Sequence, residues 1–182
     1  LRLGPAEVVA GRDPLVRQQS MLYGPLLSAG PRAWDMVQVG AAEPFALPWL
    51  LRHLGPTEFR LFWAHLGADQ TFRGGWMVGT RGSIRPHPRV EIGGTTLFQQ
   101  GGRGGPEASW TDRFLDLLLL PDLLDAESDY LFSNKLVGAD VRVRLPWGRG
   151  VELLAEAALD DFDIRRLRSS FVDNGAFVMG GH

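Results

Sequence analysis

The sequence contains no cysteine, which excludes disulfides and thiolate-held metal centres. It has no run of about 20 apolar residues, so no transmembrane helix is expected. The most apolar stretch, FLDLLLLPDLL, is too short and carries two Asp and a Pro. Lys135 is the only lysine, no basic block stands out and the net charge is −2; nucleic-acid binding has no electrostatic support. The four His (53, 65, 87 and 182) are scattered, without an H-E-x-x-H spacing. There is no G-x-S-x-G, and GGRGGP lacks the Gly-Lys-Ser/Thr of a phosphate loop. No cofactor and no metal site are expected. The chain begins at Leu1 without Met or a leader, as a processed protein or a piece of a longer one would.

What is present is turn chemistry and alternation. Gly (23) and Pro (12) make up about a fifth of 182 residues, which suits many short strands joined by turns. Eight strands are predicted, near 6–12, 32–40, 57–66, 75–85, 89–99, 139–145, 151–159 and 176–182. Short connections (Pro86-His87-Pro88, Pro146-Trp147-Gly148-Arg149 and a middling 41–56) alternate with long ones (13–31, 67–74, 100–137 and 161–175). An antiparallel meander would gather the short turns at one end and the long loops at the other. Outer-membrane barrels have that asymmetry. Within the longest loop, SWTDRFLDLLLLPDLLD (109–125) predicts a helix, capped by Ser109 or Thr111 and broken at Pro121. The length fits a single domain.

Period-two alternation places charge on one face of each strand and apolar residues on the other. The hairpin VRVRLPWGRGVELLAEAAL (141–159) is the clearest case: Arg142 and Arg144 are expected across from Glu152 and Glu156, close enough to pair. The same rule puts Glu58, Arg60, Arg81, Arg85 and Glu91 on the polar side of their strands. In a barrel these groups would point into a polar lumen and the Val/Leu/Trp stripes would meet lipid. In a soluble sandwich the apolar stripes would meet a second sheet. Alternation alone favours the soluble domain and leaves the barrel open.

Five stretches, in order, resemble the Wzi capsule-assembly family of bacterial outer-membrane proteins. These are AEVVAGRDPLVRQQSMLYGPLLSAGPRAWDMVQVG, EPFALPWLLRHLGPTEFRLFWAHL, RPHPRVEIGGTTLFQQGGRG, WTDRFLDLLLLPDLLD, and NKLVGADVRVRLP with Asn134, Leu136, Gly138 and Asp140. The sequence departs from the family pattern at Met21-Leu22-Tyr23 and at Thr95-Thr96-Leu97. It has two Tyr for an aromatic girdle, partly offset by six Trp. Family members are longer, with roughly eighteen strands, inside the range of such barrels. The resemblance implies an all-β antiparallel meander, a segment of a transmembrane outer-membrane barrel, or else a small closed barrel of eight strands. It implies a non-enzymatic, monomeric surface lectin whose partners are outer-membrane lipid and capsular or extracellular polysaccharide.

Sugar binding needs aromatic faces beside groups that bond hydroxyls. In the expected external loops Trp110, Asp112, Arg103 and Arg73 are the candidates, although Trp110 and Phe114 suit packing the loop helix onto the barrel better than sugar contact. Asp160, Asp161 and Asp163 lack the Gly and distal Glu of a calcium loop and suit a solvated acidic turn better. Asp112 and Asp116 share one helix face, whereas glycosidase carboxylates straddle a cleft. The remaining alternative is a soluble all-β carbohydrate-binding domain.

Overall fold

A computed structural model describes residues 1–14, 33–67, 73–103, 109, 111, 133–147, 150–160 and 175–181. They form one antiparallel sheet in which each long strand pairs with the next along the chain. Its strands are β1 (Arg2–Leu3), β2 (Ala6–Pro14), β3 (Ala33–Ala41), β4 (Phe45–Ala46), β5 (Pro56–His65), β6 (Trp76–His87), β7 (Val90–Gln100), β8 (Ser133–Arg144), β9 (Glu152–Asp160) and β10 (Gly175–Gly181). The two-residue β1 and β4 only extend β2 and β5. The eight long strands are those the alternation predicts, and the meander is all-β as expected. The two outer edges, β1–β2 and β10, do not pair with each other.

Short turns collect at one end of the sheet. The β6–β7 turn is Pro88-Arg89, and a bulge between Ile84 and His87 lets β6 run into the stretch expected as a turn. The β8–β9 turn closes with Leu145 N–H donating to Val151 O at 2.9 Å. The β3–β5 connection is occupied by a short 3-10 helix, Trp49–Leu54, which ends at Gly55. At the other end, the β5–β6 hairpin closes through Leu66 N–H to Gly75 O and Gly74 N–H to Gly67 O, both 3.0 Å. This is the long-loop end, where β2, β7 and β9 end at Pro14, Gln100 and Asp160 and β3, β8 and β10 begin at Ala33, Ser133 and Gly175.

One boundary differs from expectation. β8 begins at Ser133, inside the stretch read as loop. Ser133, Asn134 and Lys135 have little strand propensity. The ladder to β7, with Gln100 opposite Ser133 and Gln99 opposite Asn134, supplies the missing preference. The helix expected at 109–125 lies outside the described residues, apart from Ser109 and Thr111; Thr111 is helical.

Candidate functional site

The registers place all nine predicted charges on one face of the sheet. Arg60 stands opposite Arg81, Glu58 opposite Ser83, Glu91 opposite Arg142, and Arg144 opposite Glu152; Arg85 bonds to Glu58 and Glu91 on that same face. Among the described residues, the best-buried ion pair on this face joins strands that are not neighbours. Arg81 on β6 grips Asp140 on β8 through two hydrogen bonds, Nη1 to Oδ2 at 2.6 Å and Nη2 to Oδ1 at 3.0 Å. Arg81 Nη1 also donates to the Thr95 hydroxyl at 3.0 Å. A forked guanidinium matches a carboxylate in this way and orients both groups.

The pair exists because the residue beneath it on β7 is Gly93. A Cβ there would sit 2.5 Å from Asp140 Oδ1 and 2.7 Å from Arg81 Nη2. Next-but-one strands are nearly 10 Å apart, and a bare backbone between them is what lets two side chains close that gap. Asp140 was not among the predicted charges that form the lattice. Its signal was its alternation with Arg142 and Arg144, but nothing in one strand's pattern reveals a partner two strands away.

Toward the short-turn end the network is more open. Arg85 donates from Nε to Glu91 Oε2 at 3.1 Å and from Nη2 to Glu58 Oε1 at 3.3 Å. Arg144 Nε donates to Glu152 Oε1. Of the two glutamates expected across from Arg142 and Arg144, Glu152 meets both arginines and Glu156 meets neither. The turn sets a register in which Arg142 faces Leu154, while Glu156 faces Asp140. Glu156 is 6% exposed, and its Oε2 has no hydrogen-bond partner among the described residues. Arg142 Nε lies 3.7 Å from Glu152 Oε2; it too is buried without an acceptor among the described residues.

The long-loop half of the same face is apolar, which the alternation did not reveal. Met36, Phe62, Ala64 and Leu97 are buried there, with Trp34, Met77 and Leu136 packed against them. Gly79 on β6 opens the space: a Cβ there would run into the Phe62 ring and Leu97 Cδ2.

The opposite face reverses ordinary burial. Val37, Val39, Phe59, Trp63, Trp76, Ile92, Leu153, Phe177 and Met179 lie on it and are exposed, Phe59 by 46% and Ile92 by 43%. The charge-bearing face meanwhile buries Gln38, Ser83, Thr95, Asp140 and Glu156. The Thr80 and Thr96 hydroxyls on the apolar face bond each other at 2.6 Å, satisfying groups that an apolar surrounding would penalise. Trp76 packs edge-on against His65 at 5.1 Å between ring centroids, near the long-loop end; Trp49 and Trp147 stand exposed at the short-turn end. The apolar face is not exposed throughout. Val78, Phe98 and Leu159 are buried on it near the long loops, as are Gln100 and Lys135.

Of the four residues expected to contact sugar, Arg73 and Arg103 are exposed and adjacent at the long-loop end, Arg103 N–H donating to Arg73 O at 3.0 Å. Trp110 and Asp112 lie outside the described residues, as do Asp116, Asp161 and Asp163. Asp160 ends β9 and is exposed. No group of three or more His, Asp or Glu side chains among the described residues is placed to hold a metal.

Comparison with known proteins gives two matches and one blank. The model of the family described as capsule assembly protein Wzi matches residues 24–180. A solved structure matches with a TM-score of 0.52 at 18% identity: Wzi of Escherichia coli, described as an outer membrane protein involved in group 1 capsule assembly and a carbohydrate-binding β-barrel. The alignment covers 90% of this chain and 42% of that one, so the chain spans less than half the length of the solved relative. Among curated proteins nothing matches.

Proposed function

The chain belongs to the capsule assembly protein Wzi family, and on that premise we propose that it is part of a larger, non-enzymatic outer-membrane β-barrel that binds capsular or extracellular polysaccharide through its long-loop end. The observation that carries this reading is the inverted burial. A soluble sheet hides its apolar face and wets its charged one. Here Phe59, Ile92 and Leu153 are exposed while Asp140 and Glu156 are buried. In a bilayer the first set meets hydrocarbon and the second lines the lumen.

Dimensions support the reading. The 12 residues of β6 extend roughly 36 Å at about 3.3 Å per step, or roughly 28 Å along the membrane normal once tilted by about 40°. That matches an apolar band about 25 Å tall. Trp63 and Trp76 at one end and Trp49 and Trp147 at the other suit the two interfaces. The open edges of the sheet suit closure by other strands of a longer chain. At the long-loop end, Arg73 and Arg103, joined by a backbone hydrogen bond, offer two exposed cations for sugar hydroxyls or carboxylates, and Trp110 and Asp112 follow Arg103 within ten residues of sequence.

The test is fractionation of the producing bacterium. The protein is expected in the outer membrane, migrating faster on a gel before boiling than after, and its deletion is expected to release capsule into the medium. Recovery as a soluble periplasmic protein would overturn the reading. That outcome belongs to a soluble all-β carbohydrate-binding domain, the second reading, which the burial of Val78, Phe98 and Leu159 on the apolar face favours.

A further inference from the structure

The turn between β6 and β7 and the end of β8 enclose a small polar pocket on the charge-bearing face, of about 110 Å³, walled by Arg85, Arg89, Arg142, Arg144 and Glu91. The pairing of these strands builds it. Glu91 stands opposite Arg142, and Arg144 N–H donates to Arg89 O at 2.8 Å. Arg89 is fixed in turn by its own N–H, which donates to His87 Nδ1 at 3.1 Å. Arg85 arrives from β6 through the bulge between Ile84 and His87.

The four guanidinium groups are not equally committed. Arg85 is held by Glu58 and Glu91, and Arg144 by Glu152. Arg142 has only a long contact, Nε to Glu152 Oε2 at 3.7 Å, and its Nε makes no hydrogen bond among the described residues. Arg89 forms no side-chain ion pair among them. A guanidinium without a close acceptor is costly to leave unmatched, and an oxyanion in the pocket that Arg142 and Arg89 line would supply one. We infer that this pocket, at the short-turn mouth of the barrel, binds a single carboxylate group of an acidic saccharide, with Arg142 and Arg89 as its principal donors.

Guanidinium forks suit planar carboxylates. The volume holds about three or four waters' worth of space, enough for one oxyanion group and too little for a sugar ring as well, so the ring would lie outside in the lumen. Glu91 in the wall disfavours a doubly charged group. A singly charged carboxylate is therefore preferred to phosphate. The inference rests on the polysaccharide-binding barrel proposed above and adds a contact at the end of the lumen opposite the long loops.

The experiment is calorimetric titration of the intact protein in detergent micelles with sodium glucuronate, glucose and inorganic phosphate, in wild type, Arg142→Gln and Arg89→Gln. Glucuronate is expected to bind, glucose not, and phosphate more weakly than glucuronate. Each substitution is expected to weaken glucuronate binding by about ten-fold, the loss of one charge-assisted hydrogen bond, and raising the salt concentration is expected to weaken it further. Arg89 lies in a turn, so Arg89→Gln keeps the test usable should Arg142→Gln fold poorly. Glucuronate binding that ignores both substitutions, or phosphate binding more tightly than glucuronate, would overturn the inference. Loss of glucuronate binding from the wild type with purified capsular polysaccharide still bound would overturn the pocket alone; loss of both would overturn the barrel's lectin role as well.

Discussion

Gly79 and Gly93 lie on adjacent strands of one face, and above each of them side chains from the two flanking strands meet. Above Gly79 the partners are Phe62 and Leu97. Above Gly93 they are Arg81 and Asp140. The same backbone device thus serves an apolar cluster near the long loops and an ion pair midway toward the short turns. The contrast separates what a sheet supplies from what side chains decide: the pleat and the missing Cβ supply proximity, and the residue types decide whether that proximity is dry or charged. It also divides the proposed lumen into an apolar half toward the long connections and a polar half toward the short turns.

The two halves should respond differently when broken. The largest effect is expected from Asp140→Ala, which strands the Arg81 guanidinium, itself only 15% exposed at its side chain. Removing one partner of a buried pair costs about 3–5 kcal/mol, read as a lowered urea midpoint for the barrel refolded in detergent. The double change Arg81→Met with Asp140→Leu is expected to recover most of that loss; if it does not, the pair is not where the charged half draws its stability. Next is Leu97→Ala in the apolar half, where a cavity in a packed cluster costs about 2–5 kcal/mol. Its loss should be insensitive to salt, whereas salt should soften the effects of changes among the more exposed charges.

A somewhat smaller effect sharpens the comparison between faces. Ala139→Arg, midway along β8 on the apolar face, is expected to cost about 2–4 kcal/mol in a lipid bilayer if that position is near the midplane. In a soluble domain a charge at an exposed alanine would be nearly neutral. Bilayer refolding yields, compared with those of the unchanged protein, distinguish the two. The smallest effect is expected from Arg85→Met. Its side chain is 45% exposed, and exposed ion pairs contribute about 1 kcal/mol or less. A larger loss would mean that the open end of the network is as tightly held as the Arg81–Asp140 pair.

Much of this was legible in the sequence. Alternation is a local property: successive side chains of a strand must point to opposite faces, so Arg142 and Val143, or Arg81 and Thr80, could be assigned to faces one strand at a time. The alternation of Pro- and Gly-bearing short turns with long connections gave the meander. Its limits also have physical causes. The beginning of β8 has weak intrinsic preference and is a strand only because β7 pairs with it. Glu156 meets neither Arg142 nor Arg144 because the register around the 145–151 turn places Asp140 opposite it and Leu154 opposite Arg142. Phe62, Met36 and Leu97 follow the same alternation as the charges, so the pattern placed them on the polar side without showing that they would meet and bury one another.

By itself, then, the sequence determined how many long strands there are, the face each residue takes and the order in which strands pair, because pleating and tight turns act within a few residues. The tertiary structure alone decided which charges meet, which stay without partners, and where the face turns from apolar to charged. Those outcomes depend on stagger between strands and on whether a side chain or bare backbone fills the space between next-but-one neighbours, and neither quantity is contained in the pattern of any single strand.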